Sequence, residues 1–169
     1  RTMSRESEGA EGWKISRLIF DEFHTQKTRE MWDTVCYAGL SRQQSLLIMI
    51  TTSGFDRTSI CWEQYQYAKG VGKGEIKDWA FFTKVYEADE HDDWKDEKVW
   101  LKANPGLGTI LSWDDMRADF REALAMPAKE NTFRHYRLNQ WTQQANRWLP
   151  MDDWNQCKGK VIAEPGATC

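Results

Sequence analysis

The sequence predicts an α/β fold, in which a parallel sheet with crossover helices is followed by a layer of helices. Two apolar runs, residues 15–20 and 46–52, have the length and apolar content of buried strands. About twenty-five residues separate them and carry apolar side chains at helical spacing, so a crossover helix is expected from about residue 28 to residue 38. In the latter half of the chain, helix-start and helix-stop signals dominate.

The first apolar run ends abruptly in two carboxylates, Asp21 and Glu22. A run of this kind is typical of a parallel strand covered on both faces, and such strands end where ligands bind. At a nucleotide site, Asp21 would hold Mg²⁺, through water, and Glu22 would orient and activate the water that attacks a terminal phosphate. The alternative is a strand that ends in a solvated acidic turn.

The second apolar run breaks into a small polar loop. Parallel neighbours emerge at the same edge of a sheet, so this loop would share one crevice with the acidic pair. A hydroxyl-rich loop beside a catalytic carboxylate can sense a terminal phosphate and pass its loss to a moving element. The candidate sensing residues are Thr51, Thr52, Ser53 and Gly54, and the candidate accessory residues are His24 and Arg57.

The two accessory residues each have an ordinary alternative. His24 would either sense the site or cap the turn that follows it. Arg57 would reach a phosphate within the chain or in a neighbouring subunit, although arginines are also common on protein surfaces.

A helix, a turn and a third strand are expected after the loop. The helix is capped by Asp56 or Thr58 and runs to about Lys69, with an inner face of Ile60, Tyr65 and Ala68. The glycine-rich stretch 70–74 lacks the spacing and the Ser or Thr of a phosphate cradle, so it is interpreted as a tight turn. Residues 79–86 would form the third strand.

An acidic run occupies residues 87–98. Its carboxylates would suit a two-metal site only if strands fixed them in place. The run is therefore interpreted as a solvated loop that leads into a short helix near Lys98.

Two longer helices are expected next. Ser112 and Asp115 match a capping box, which begins a helix with Met116, Phe120 and Leu124 on one face. A further helix is expected from residue 127 to about residue 138, so the latter half forms a helical layer.

Composition limits the class of protein. The 169 residues suffice for one core, and a net charge of −3 gives no global basic field for nucleic acid. Four cysteines without a CxxC pair argue against zinc and for reduced thiols. The ten tryptophans are scattered along the chain, which favours core packing. No apolar stretch approaches the roughly 20 residues of a membrane span, so no membrane partner is expected.

Several segments together carry a family resemblance. In order, LIFDEFH, TREMWDTV, ITTSGFDRTSICWE, KANPGLG, PAKENTFRHYRLNQWT and RWLPMDDW resemble the large terminase subunit of tailed bacteriophages and prophages. The resemblance covers about residues 12–157. It implies an ASCE-type P-loop NTPase domain that uses ATP and Mg²⁺, joined to a C-terminal RNase H-like nuclease.

The resemblance assigns roles and boundaries. It makes Asp21 and Glu22 the Walker B pair and residues 51–54 the coupling motif. Residues 1–12 would be a flexible leader, residues 13–138 the C-terminal part of the ATPase domain, and residues 139–169 a linker toward the nuclease.

The same resemblance implies the partners. They are double-stranded DNA, the portal protein, the small terminase subunit and other copies of the large subunit, in the host cytoplasm with transient docking at the prohead portal. No GxxxxGK[ST] segment occurs in the sequence, so the 169 residues alone are expected to hydrolyse no ATP and to cut no DNA. Exposed sheet edges would favour dimerisation or aggregation.

Two other classes of function stay open on the sequence. The letters DEFH at residues 21–24 also fit a DExH-type helicase, although the arginine-rich motif of its second domain is not found. A non-catalytic module could bind DNA or a partner through Arg134, Arg137 and Arg147. The ordinary alternative for those arginines is a polar helix face paired with nearby acids.

Overall fold

The computed structural model describes residues 14–26, 29–39 and 44–142. The predicted leader, most of the predicted linker and Arg147 lie outside these residues. The described elements are strand β1 (Arg17–Phe20), helix α1 (Arg29–Gly39), strand β2 (Leu46–Met49) and helices α2 (Ile60–Gly72), α3 (Glu97–Ala103), α4 (Trp113–Ala125) and α5 (Pro127–Leu138).

The two strands are parallel neighbours joined by α1, as predicted. Their register runs from Arg17 opposite Leu46 to Phe20 opposite Met49. The ladder continues one step past the strands, because the Ile50 N–H donates to Phe20 O at 2.8 Å. The residues that follow β1 and β2 therefore start from the same edge of the sheet.

One face of the strand pair is covered and the other is not. Met31 and Val35 of α1 are buried against Leu18 and Phe20. Successive side chains alternate between the faces of a strand, so Ile19 points away from α1 and is 65% exposed. The prediction of a strand buried on both faces is wrong for the described residues, in which no helix covers the face of Ile19.

Helix α2 begins and ends slightly later than predicted. Its cap is Ser59, whose Oγ accepts from Trp62 N–H at 3.2 Å. Asp56 closes the preceding turn instead, by accepting from Thr58 N–H at 2.7 Å. The helix runs through part of the glycine-rich stretch to Gly72, and the turn falls at Gly74, which has φ +76°. Ile60 and Ala68 are buried as predicted, and Tyr65 is half-buried.

Residues 79–86 form irregular backbone, so the third predicted strand is wrong. Trp79 is 100% exposed and Phe82 is 89% exposed. A strand needs a hydrogen-bonding neighbour, and in the described part of the chain only β1 and β2 form a sheet. The chain is fixed to α5 just beyond this segment, where Ala88 N–H donates to Leu138 O at 2.9 Å.

The helical layer has an aromatic core of its own. Its buried members include Trp94, Trp100, Met116, Phe133 and Leu138. The indole of Trp100 is 1% exposed and donates to Trp94 O at 2.7 Å, so its polar atom is satisfied. Core packing is therefore the role of these two tryptophans, as predicted.

Helix α4 begins at the predicted cap, but only part of its predicted apolar face is buried. Ser112 Oγ accepts from Asp114 N–H at 3.1 Å. Met116 is fully buried, whereas Leu124 is 49% exposed because Ala123 occupies the buried position in that turn. The acidic run forms irregular backbone until α3 begins at Glu97, in agreement with the sequence. The prediction that the run is solvated is only partly correct, because Glu87, Ala88 and Trp94 are buried. None of the helices in the described residues has the length and hydropathy to cross a membrane.

Candidate active site

The acidic pair lies at the carboxyl end of β1, where the chain turns sharply. Asp21 is exposed, and its Oδ1 accepts from Glu22 N–H at 2.9 Å. Glu22 has φ 50° and ψ 48°, a left-handed conformation that is uncommon outside glycine and is found often at functional sites. A short 3-10 turn, Phe23–Thr25, follows. The turn leaves both carboxylates at the edge of the sheet.

His24 joins the acidic pair to the 51–54 loop. Its backbone N–H donates to Thr51 Oγ1 at 2.9 Å. Its ring Nδ1 lies 3.2 Å from Thr51 Oγ1, 3.3 Å from Thr52 Oγ1 and 3.2 Å from Glu22 Oε2. The carboxylate and the loop hydroxyls therefore converge on one imidazole nitrogen, in the crevice that the parallel strands predict.

The other half of the loop faces the end of α5. Ser53 is 3% exposed, and its backbone N–H donates to Asn139 Oδ1 at 2.6 Å. Its Oγ donates to Gln140 O at 3.0 Å and lies 2.8 Å from His135 Nδ1. At Gly54 a Cβ would lie 2.9 Å from Cζ3 of Trp141, so only glycine allows this close approach. Residues 51–54 are thus divided between the strand pair and the helical layer.

His135 is fully buried and uncharged at neutral pH. Burial, assisted by the nearby His24, lowers the pKa of His135 to about 4. Since the Ser53 hydroxyl donates to Gln140 O, Nδ1 of His135 carries the proton and donates to Ser53 Oγ. Its Nε2 has no hydrogen-bond partner among the described residues. The 51–54 loop therefore contacts, through Ser53, an imidazole that carries no charge.

Arg57 holds the segment that follows α5. Its guanidinium donates to Trp141 O at 3.3 Å and to Glu90 Oε1 at 3.4 Å, and it lies 5.1 Å from the ring centroid of Trp62. These contacts stabilise the packing around Trp141. A contact between Arg57 and a phosphate stays a prediction.

A buried carboxylate joins α2 to the segment before α3. Glu87 accepts from the Tyr65 hydroxyl at 2.7 and 2.8 Å and from Lys69 Nζ. Burial and the bond to Glu87 raise the pKa of Tyr65 far above its ordinary value. Beside Tyr65, a cavity of about 360 Å³ is lined by the end of β2, residues 51–53, α2, residues 84–86, Asn139 and Trp141. Residues 51–53 therefore border a cavity that lies between α2 and the segment that follows α5.

The acidic run and the arginines of α5 form ion pairs. Lys102 Nζ lies 2.5 Å from the carboxylates of both Asp89 and Asp92, and the pKa of Asp92 is lowered by this contact. Arg134 pairs with Glu130, and Arg137 Nε donates to the Asp119 carboxylate at 2.6 Å. The polar-face interpretation of these two arginines is confirmed. Within the described residues, no group of three or more His, Cys, Asp or Glu side chains is placed to hold a metal ion.

Sequence reasoning missed the residues that hold the loop from the helical side. The sequence places Asn139 at the start of a predicted linker, although an asparagine directly after a helix is a recognised C-terminal signal. His135 gave no signal, because one histidine on a helix face is most often an ordinary core or surface residue. The contacts of both with Ser53 span more than 80 residues of sequence.

Comparison with known proteins places both halves of the chain in one family. A family model of the terminase large subunit endonuclease domain matches residues 75–166, and one of the terminase large subunit ATPase domain matches residues 1–70. The two matches meet between residues 70 and 75, whereas the sequence predicts a boundary near residue 138. That boundary stays a prediction.

Individual relatives agree with the family models. The large terminase subunit of Enterobacteria phage HK97 is 29% identical over 169 residues, which cover 98% of this chain and 32% of the relative. The terminase large subunit of Lactococcus phage p2 is 27% identical over 145 residues, which cover 85% of this chain and 25% of the relative. Protein YmfN of Escherichia coli K12 is 26% identical over 165 residues, which cover 90% of this chain and 36% of the relative.

The fold agrees as well. The crystal structure of the HK97 bacteriophage large terminase superposes with a TM-score of 0.66 at 28% identity, over 91% of this chain and 32% of that one. The chain therefore spans between 25% and 36% of the length of the relatives it matches. With one family model covering more than half of its residues and a second covering most of the rest, the chain belongs to the terminase large subunit family.

Proposed function

We propose that this chain supplies the hydrolytic carboxylates and the sensing loop of an ATP-driven motor that packages double-stranded DNA into a phage prohead. In this proposal Glu22 is the catalytic residue and Asp21 is the ligand for Mg²⁺. Residues Thr51, Thr52, Ser53 and Gly54 detect the terminal phosphate.

One observation carries the proposal. At the carboxyl edge of two parallel strands, His24 Nδ1 lies 3.2 Å from Glu22 Oε2 and within 3.3 Å of both Thr51 Oγ1 and Thr52 Oγ1. A solvated acidic turn would need no such link between its carboxylate and the neighbouring strand. A hydrolase that couples chemistry to movement does need one.

The residues present fit the chemistry. Asp21 is exposed at the end of β1 and offers a hard oxygen ligand of the kind that Mg²⁺ prefers. When bound, Mg²⁺ would neutralise charge on the transferred phosphate. The Glu22 side chain is 58% exposed beside His24, and from there its carboxylate would orient the attacking water and accept its proton.

The wider biology follows from the family and belongs to the proposal. In the full-length protein this ATPase would act with a nuclease. Its partners would be the portal protein, the small terminase subunit and other copies of the large subunit, during transient docking at the prohead in the host cytoplasm. ATP and Mg²⁺ would be the cofactors.

The test is ATP hydrolysis by the full-length protein that contains this chain, with Glu22→Gln compared with wild type. Loss of the base is expected to lower kcat by about 100-fold or more while ATP still binds. Glu97→Gln, an exposed carboxylate that pairs with Arg117, is the matched control and should leave kcat unchanged. Full activity in Glu22→Gln would refute the assignment. The 169 residues alone should give no turnover.

A further inference from the structure

We propose that Asn139 is a positioning residue for the 51–54 loop, and that through it the loop and the end of α5 move as one body. The structural part of this inference stands on contacts alone. Its catalytic consequence rests on the proposed function.

Asn139 occupies a conformation that few residues accept. It follows the last residue of α5 with φ 53° and ψ 31°, and the Gln140 N–H then donates to Arg134 O at 3.0 Å. The Asn139 N–H returns to the same carbonyl. The helix therefore ends at a residue in the left-handed conformation, a position that is usually glycine and sometimes asparagine. Glycine would close the helix equally well, so the closure of α5 does not by itself require an amide side chain.

The amide is used for a different purpose, since it bridges two segments of chain. Its Oδ1 accepts from the backbone N–H of Ser53 at 2.6 Å, and its Nδ2 donates to Tyr86 O at 3.0 Å. Few side chains combine tolerance of the left-handed conformation with one acceptor and one donor at this length. Asn139 therefore ties the loop to the segment that precedes α3.

Ser53 makes all its described hydrogen bonds to the end of α5. Besides the bond to Asn139, its Oγ meets His135 Nδ1 at 2.8 Å and Gln140 O at 3.0 Å. Ser53 is 3% exposed, so water cannot replace these partners in place. A shift of the loop that left the end of α5 behind would leave buried polar atoms unpaired, whereas a joint shift would keep the three bonds of Ser53.

Thr51 and Thr52, which directly precede Ser53, contact His24, and His24 in turn contacts Glu22 of the acidic pair. A conformational change caused by the loss of the terminal phosphate would therefore begin at Thr51. It would reach the helical layer through Ser53 and Asn139. This path places Asn139 outside the reacting atoms and makes its role one of positioning.

The experiment uses three variants of the full-length protein. Asn139→Gly keeps the left-handed turn and removes both amide bonds, whereas Asn139→Asp keeps an oxygen to accept from Ser53 N–H. Asn104→Ala is the matched control, because Asn104 ends α3 and its amide donates to Trp100 O and Arg137 O within the helical layer. Two readouts are taken: hydrogen exchange of the Ser53 amide, and kcat and KM for ATP.

In Asn139→Gly the Ser53 amide should exchange roughly 10-fold faster, since one hydrogen bond is lost. Its kcat should fall roughly 10-fold or more with little change in KM, because the loop is misplaced rather than absent. Asn139→Asp should restore most of the Ser53 protection and much of kcat. Asn104→Ala should change neither readout.

Unchanged exchange at Ser53 in Asn139→Gly would overturn the inference, and so would an equal loss of kcat in Asn104→Ala. These outcomes differ from a failure of the proposed function. If wild type hydrolyses no ATP, the motor assignment falls, while Ser53 exchange still decides whether Asn139 positions the loop.

Discussion

The strand pair and the helical layer reach stability in different ways. In the helical layer, Trp100 is 1% exposed and Leu138 is fully buried, so its core closes within the described residues. In the strand pair, α1 covers one face, and Ile19 and Ile48 on the other are 65% and 40% exposed. The helical layer thus resembles a finished core, and the strand pair resembles part of a larger sheet. The candidate active site lies where the two meet.

Truncation of an apolar side chain should give the largest difference between the two regions in the free energy of unfolding. Trp100→Ala is expected to destabilise the chain by about 3–5 kcal/mol, because it removes a large buried ring and leaves a cavity. Ile19→Thr keeps the β-branch on an exposed strand position and should change the free energy of unfolding by about 0.5 kcal/mol or less. Urea unfolding followed by circular dichroism measures both. Similar losses in the two variants would contradict the distinction between a closed core and an open sheet.

The pH dependence of stability should be concentrated at the boundary between the regions. His135 has its pKa lowered from 6.5 to about 4, so between these values the unfolded chain binds a proton that the folded chain does not. Stability should therefore fall as pH drops through that window, by up to about 1.4 kcal/mol per pH unit. His135→Asn keeps a donor near Ser53 without a titrating ring and should lose this slope.

Unfolding free energies of wild type and His135→Asn at pH 7, 6 and 5 test the slope. His24, whose ring centroid lies 6.2 Å from that of His135, is present in both proteins, so the difference between the two curves reports on position 135. Parallel curves would show that His135 ionises as easily in the folded chain as in the unfolded one.

Sequence reasoning succeeded where the signal was local. The two strands, the crossover and the capped helix α4 follow from short apolar patterns and caps, and the edge shared by Glu22 and Thr51 follows from parallel topology. The segment 79–86 has the same apolar pattern as a strand but finds no hydrogen-bonding neighbour in the described residues. A pattern shows that a strand is allowed, and pairing decides whether it forms.

The second half of the site could not be predicted in this way. The bond between Asn139 and Ser53 joins residues 86 positions apart. A side-chain amide that accepts from a backbone N–H produces no periodic pattern in the sequence. The same holds for His135, whose burial depends on how α5 packs against the loop. Contacts of this kind become visible only when both regions are in place.

The central claim is that the 51–54 loop is bonded to the helical layer through Ser53. A double-mutant cycle between Ser53→Ala and His135→Phe tests it most directly, because it isolates the hydrogen bond of 2.8 Å that crosses the boundary. The predicted coupling energy, measured by urea unfolding, is about 1 kcal/mol. A coupling energy near zero would contradict the claim for this bond, because the side chains of Ser53 and His135 would then contribute to stability independently.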